Sequence, residues 1–424
     1  MYLRGSKWSM TRKRKRINWF RIILLVLLIA AGVYINRVVI PTIPPPFVPT
    51  STPTRAPESF VSEAEALFAQ GKLLQAIEVY QQAIRAKPTD PTIYVALARV
   101  QVFAGQYKEA QTSAEDALLL NPNNSMAHAV RAWALDFMGD YLAAEAAVKR
   151  ALELDPNNAL AHAFYAEILV DSYVYGSSSF EVVDRAAEES RVALSLAPDA
   201  LEAHRARGYI LEATGNYEEA IREYQAATTL NDNITDLHLA LGRNYRALGV
   251  YDKAVEEFTR ANALNPTDPT PDLLISRTYA TIGEYAKAAQ YAEQAVKDDP
   301  ADPNLHGNLG VMYYHNFQWP EAAQHLGLTM YGGTTEDGQA VASLPLSNDA
   351  RITEYYFTYG LVLARLNRCG EALPVFQLIQ ATIPGNEIAM YNAQEGLRLC
   401  ENNLTITPTA TLVFLETPTP TSIP

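Results

Sequence analysis

Residues 125–158 read SMAHAVRAWALDFMGDYLAAEAAVKRALELDPNN, and residues 235–268 read TDLHLALGRNYRALGVYDKAVEEFTRANALNPTD. Overlaid, the two stretches keep the same phase. Each has a small residue at position eight (Ala132, Gly242), Gly at fifteen (Gly139, Gly249) and Tyr at seventeen (Tyr141, Tyr251). Each also has Ala at twenty (Ala144, Ala254) and Pro at thirty-two (Pro156, Pro266). Working outward, prolines in this phase recur at Pro88, Pro122, Pro198, Pro300 and Pro384, spaced by 34 residues or its multiples apart from two insertions. Alanine holds position twenty in nine units, from Ala76 to Ala372. A fixed period of this length marks a repeat array.

The pattern has a physical basis. Small residues at eight and twenty let two antiparallel helices approach closely. Glycine at fifteen ends the first helix where a left-handed φ is cheap. Proline at thirty-two ends the second helix and opens the turn into the next unit. One helix pair cannot bury its apolar face alone, so stacked neighbours must supply the core.

These residues closely resemble the tetratricopeptide repeat family, over about residues 57 to 386. The resemblance implies an all-α solenoid of about nine helix pairs, closed by a capping helix over Ile388–Cys400. Three departures stand out. Position four, usually aromatic in the family, is often His here. Unit four carries eight extra residues around DSYVYGSSSFEVVD. Unit eight has Phe317 at the glycine position and is followed by YGGTTEDGQAVASLPLSNDARI.

Upstream of the array the chemistry changes. Eight basic residues precede an apolar run from Ile22 to Ile35, and Arg37 alone follows it closely. Extending the run to Trp19–Ile40 gives enough length to cross a bilayer, with Trp19, Arg21 and Arg37 at the headgroups. Ala30-Ala31-Gly32 offers a signal-peptidase site, but the apolar run continues past it, which favours an uncleaved anchor. The basic asymmetry places the N-terminus in the cytoplasm and the array outside. The resulting organisation is a basic cytoplasmic segment (1–18), an anchor contacting lipid (19–40) and a Pro/Thr linker (41–57). The solenoid (58–400) and a Thr/Pro-rich disordered tail (401–424) follow. Anchor and tail composition suggest a bacterial cell envelope.

The net charge of −13 hides a split. Residues 1 to 57 hold ten Lys and Arg and no acid, so the remainder carries −23. Such an acidic body argues against nucleic-acid binding. No phosphate-binding loop, zinc-protease helix, nucleophile elbow or dinucleotide fingerprint is present, so no catalytic residue and no cofactor is expected. Five of seven His (His128, His162, His204, His238, His306) recur at position four. Their one-per-repeat spacing separates them too far for a shared metal, and they are expected to fill a slot between helices.

The family resemblance points to protein recognition on the concave face formed by the first helices. By its positions, Trp133, Asp136, Glu167, Tyr209 and Glu212 line that face, joined by Arg205, Arg243, Arg246 and Arg277. Four Arg on one face of an acidic body suit a partner with an acidic segment or C-terminal carboxylate, since guanidinium donates bidentately to carboxylate. The alternative is internal pairing with Glu212 and its neighbours. A second functional reading is a structural subunit of an envelope complex, with no groove in use. Cys369 and Cys400 both fall at the end of the stack where first helices finish and turn residues can approach within disulfide range, so a bridge that staples the cap is expected, with two unrelated buried thiols as the alternative.

Overall fold

The computed structural model describes residues 18–39, 55–175 and 181–406. The basic segment 1–17, most of the linker, the centre of the unit-four insertion and the tail from 407 lie outside these residues. The chain divides into two compact units, 1–56 and 57–424.

In the first unit an α-helix spans Trp19–Tyr34 and continues as a π-helical turn over Ile35–Val39. Its side chains from Trp19 to Val38 are exposed. The segment Trp19–Val38 has 20 residues and a mean hydropathy of 2.1, long and apolar enough to cross a membrane.

The described residues of the second unit form nine helix pairs and one further helix. Each first helix packs on its own second helix, and each pair on the next, as in a helix-pair solenoid. Unit six shows why. Its first helix, Thr235–Ala247, and second helix, Tyr251–Leu264, cross where Gly242 faces Phe258. A Cβ on Gly242 would lie 2.3 Å from the Phe258 ring, so only glycine admits that crossing. The turns between paired helices use positive φ at six glycines, and at Phe317 and Asn367 in units eight and nine. Acid or amide N-caps start several first helices: Asp90, Asn124, Asn158, Asp268 and Asp302 each accept from a backbone N–H of the first turn. These side chains satisfy donors that a helix start leaves orphaned.

The insertions have different fates. In unit four the first helix runs on to Val174, so the extra residues begin as helix. The excursion after unit eight holds a short antiparallel hairpin, Gly333–Thr334 with Ala340–Val341. It then feeds the first helix of unit nine, Ala350–Arg365. The final helix runs Glu387–Ile406, beyond Cys400 and into the stretch read as tail. Cys369, opening the second helix of unit nine, is joined to Cys400 by a disulfide with a Cα–Cα distance of 5.6 Å.

The inner face closes on itself early in the array. Unit one ends its first helix at Phe68 and Ala69, whose carbonyls accept from Asn231 Nδ2 (3.3 Å) and Asn233 Nδ2 (3.0 Å) after unit five. Gly71 seals this seam, because a Cβ there would sit 2.7 Å from Asn233 Cβ. Arg99 of unit two forms an ion pair with Glu202 of unit five. Rings of Phe68 and Phe103 (5.4 Å), Phe103 and Trp133 (5.0 Å), and Trp133 and Phe164 (4.4 Å) run along the interior. A cavity of about 500 Å³ remains beside the seam, between residues 71–75 and 233–239.

Candidate interaction face

The sequence-derived face residues fall into two environments. Trp133, Asp136, Glu167 and Arg205 are buried, at 1%, 3%, 2% and 9% exposure. The indole N–H of Trp133 donates to Glu167 (3.0 Å). Arg205 bridges Glu167 of unit four and Asp236 of unit six, the latter at 2.8 Å. Its guanidinium also lies over the Trp133 and Phe137 rings. Tyr209 donates to Asp171. Glu212 accepts twice from Arg243 (2.8 and 3.4 Å) and once from Tyr224 (2.9 Å). Seven of the nine face residues thus form one network, along with Asp171, Tyr224 and Asp236, which the sequence reading did not select. A cavity of about 120 Å³ is left inside it.

The network holds more carboxylate than cation. Burial pushes the Glu167 carboxyl up to about 7, against the opposing pull of Arg205. Burial likewise raises Asp136 well above the carboxylate range, helped by the charges of Asp171 and Glu167. Asp171 is raised by burial too. Two acids that share one dry site cannot both ionise, so Asp136 and Asp171 titrate as a pair. Asp136 Oδ1 and Glu167 Oε1 are buried and accept no hydrogen bond from the described residues.

Arg246 and Arg277 stand outside this network. Arg277 Nε donates to the neutral Asn308 Oδ1 (3.3 Å), whose amide in turn donates to Ser276. Arg246 has no carboxylate partner among the described residues. Burial lowers its pKa, and the charges of Arg277, Arg351 and Arg243 lower it further. Arg351 enters from the first turn of Ala350–Arg365 and pairs with Glu354 at 3.2 Å. The sequence reading missed Arg351 because the excursion breaks the repeat phase just before it.

The histidines act as staples rather than ring fillers. Nε2 of His128, His162, His204 and His306 contacts the carbonyl of Pro122, Pro156, Pro198 and Pro300, at 2.8 to 3.0 Å. Nδ1 of His162, His204 and His238 meets Glu189, Glu223 and Glu257 of the paired second helix at 2.6 to 2.7 Å. The signal was present as Glu at position twenty-three in the units that carry these histidines. The Glu189 hydrogen bond raises the His162 pKa against burial. At His238 burial pulls down, and Glu257 with the Asp232 carbonyl outweighs it. Unit eight puts His325 in the Glu position, with Nδ1 atoms of His306 and His325 2.8 Å apart. Burial and the His306 charge lower His325 to about 4. Among the described residues no group of three or more His, Cys, Asp or Glu is placed to hold a metal ion.

A solenoid of stacked helix pairs with a charged inner face defines the class. Models of the tetratricopeptide repeat match residues 67–134, 245–307, 201–234 and 127–158 within it. A search of curated proteins found no match. Among solved structures, the chain is similar to a thermophilic repeat protein of Thermus thermophilus, at 22% identity over 45% of this chain and 100% of that one, with TM-score 0.39. A tetratricopeptide repeat protein of Parabacteroides merdae aligns at 17% identity over 60% and 98%, with TM-score 0.39. Pseudomonas aeruginosa pilF aligns at 22% over 49% and 90%, with TM-score 0.41. Proteins built of these repeats generally serve as scaffolds for protein interaction rather than as enzymes.

Proposed function

We propose that this protein is a membrane-anchored, extracytoplasmic scaffold that holds a protein partner through an acidic segment or a C-terminal carboxylate on its inner face. The observation that carries the reading is the unmatched guanidinium of Arg246, with Arg277 and Arg351 near enough to disfavour its charge. A half-buried cation without a carboxylate costs stability, and a partner that supplies one recovers it. Arg205 and Arg243 are already satisfied by Glu167, Asp236 and Glu212, which moves the receptive part of the face toward units six to nine. The apolar helix Trp19–Val38 and the basic excess before it support the anchor and its orientation. The Cys369–Cys400 disulfide fits an oxidising compartment.

The alternative, a structural subunit of an envelope complex with no working groove, draws on the closed inner face of units one to five. Two measurements decide between them. Protease added to intact cells should remove the array while the N-terminal segment survives. In-cell crosslinking from the inner face should capture a partner, and Arg246→Ala with Arg277→Ala should abolish capture while leaving helicity unchanged. Equal capture by the double variant favours the structural-subunit reading.

A further inference from the structure

Closing the inner face does more than bury aromatic rings. It brings the turns inside units one and two up to the two ends of unit six, and the meeting leaves the cavity of about 500 Å³ beside the seam. That volume lies within the ordinary range of small-molecule pockets. No single repeat contains it. Residues from 71–75 and 103–107 line it together with residues from 233–239 and 264–268. Phe103, Leu239 and Leu264 give the wall an apolar part. Phe103 sits edge-on to Trp133 with ring centroids 5.0 Å apart, and Tyr107 is stacked on Phe137 at 4.7 Å, so the closed interior fixes both rings.

Tyr107, Asp236 and Asp268 give the wall its polar part. Each acid has one oxygen engaged by the fold. Asp236 Oδ2 accepts from Arg205 Nε at 2.8 Å, and Asp268 Oδ1 accepts from the Thr270 N–H at 2.9 Å as a helix cap. The other oxygen of each has no hydrogen-bond partner among the described residues, and the Tyr107 hydroxyl has none either. The Asp236 side chain is 47% exposed, so its open oxygen is within reach of a ligand. Burial raises the Tyr107 pKa, and the charges of Asp236 and Asp268 add to it against Arg205. Arg205 itself is held between Glu167 and Asp236. Lys72 is the one cation among the described residues that line the cavity, and it is exposed and makes no ion pair among them.

We infer that this cavity binds a primary ammonium on a short apolar stem, with Asp236, Asp268 and the Tyr107 hydroxyl taking the ammonium and Phe103, Leu239 and Leu264 taking the stem. Three open acceptors in one cavity suit a group with three donors and no acceptor. The flanking aromatic rings add the attraction of a π face for a cation. A carboxylate ligand would meet two like charges, and a neutral one would leave both acids without a counter-charge. A free alkylamine and a lysine side chain of a protein share this chemistry. The cavity uses neither Arg246 nor Arg277, so it stands or falls separately from the acidic-partner reading.

The test titrates the full-length chain in neutral detergent with butylamine, butanol, butyrate and Nα-acetyl-lysine N-methylamide, read by calorimetry. Butylamine should bind about tenfold more tightly than butanol, the scale of a hydrogen-bonded charge. Its affinity should fall as salt is raised. Asp268→Asn keeps a good helix cap while removing the charge, and should weaken butylamine roughly tenfold. Lys72→Met should tighten it, and Glu218→Gln, on the outer face, should change nothing. Because the ligand touches both sides of the seam, bound butylamine should slow hydrogen exchange at 71–75 and 235–239 together. Binding of the lysine derivative as tight as that of butylamine assigns the site to a protein side chain, and binding of butylamine alone assigns it to a free amine. Equal affinity for butanol, preference for butyrate, or no binding of either amine overturns the inference. So does butylamine binding that neither Asp268→Asn nor Lys72→Met alters.

Discussion

The inner face of units two to five and that of units six to nine are built from the same positions of the same repeat, yet one is a core and the other a surface with unmatched charge. In the first region aromatic rings, carboxylates and two arginines close over each other, and Trp133 is 1% exposed. In the second, Arg246 has no carboxylate partner among the described residues, and burial with the charges of Arg277, Arg351 and Arg243 lowers its pKa. Curvature alone does not decide whether a solenoid offers a groove. The decision lies in whether the side chains brought together across units complement one another. Where they do, the groove becomes interior, and where they do not, a ligand can complete it.

The comparison breaks first at Trp133. If units two to five are a core, Trp133→Ala should cost about 3 to 5 kcal/mol in chemical denaturation. A cost below 1 kcal/mol would mean the interior is an open groove after all. The second region is held at its far end by the disulfide instead. Cys369→Ser should destabilise the cap by roughly 3 to 4 kcal/mol at most on the loop-entropy model. Hydrogen exchange should show faster opening confined to units nine and the final helix, with the seam near Asn233 unaffected.

A third variant tests the buried acids. A carboxyl whose folded pKa is raised stabilises below its unfolded value near 4, and loses that contribution as pH rises through its folded value. With Glu167 near 7 and Asp136 raised as well, the array should weaken as pH climbs from about 4 past 7. Asp136→Asn should therefore gain stability at pH 8 and none at pH 3, read by chemical denaturation. Equal effects at both pH values would remove the shared-proton account.

The histidine staples sharpen the contrast with an opposite sign. His162 and His238, raised, contribute fully below about pH 6.5 and lose that contribution as pH rises through their folded values. His325, lowered to about 4, contributes above pH 6.5 and loses it as pH falls toward 4. His325→Glu should give unit eight the pairing of unit six and raise stability by about 1 kcal/mol at pH 5.5. The smallest effect belongs to Arg246→Ala, which should be neutral or stabilise by up to about 0.5 kcal/mol. A loss of several kcal/mol there would show that Arg246 has an internal partner.

The helix pairs were legible because their determinants are local. Gly242 must face Phe258 within one unit, and an alanine at position twenty serves the same contact in every unit. The staples were half legible: His at position four stood out, and its Glu at position twenty-three went unread. The seam between Phe68 and Asn231 was not legible. It depends on the small rotation from unit to unit summed over the array, and no residue pair within one repeat records that sum. Arg351 escaped for a related reason, since a period cannot place a residue that follows an excursion of irregular length.

The seam also sets a schedule. The Phe68 and Ala69 carbonyls wait for side chains 163 and 164 residues later in the chain. At about 5 to 20 residues per second, that is a delay of roughly 10 to 30 s between the emergence of unit one and the arrival of its partner. During that interval Phe68 and Phe103 lack the units-five-to-seven core against which they finally pack. The start of this array is therefore made first and finished late, and the newborn chain shows its aromatic interior to whatever chaperone or neighbouring chain reaches it before Asn231 does.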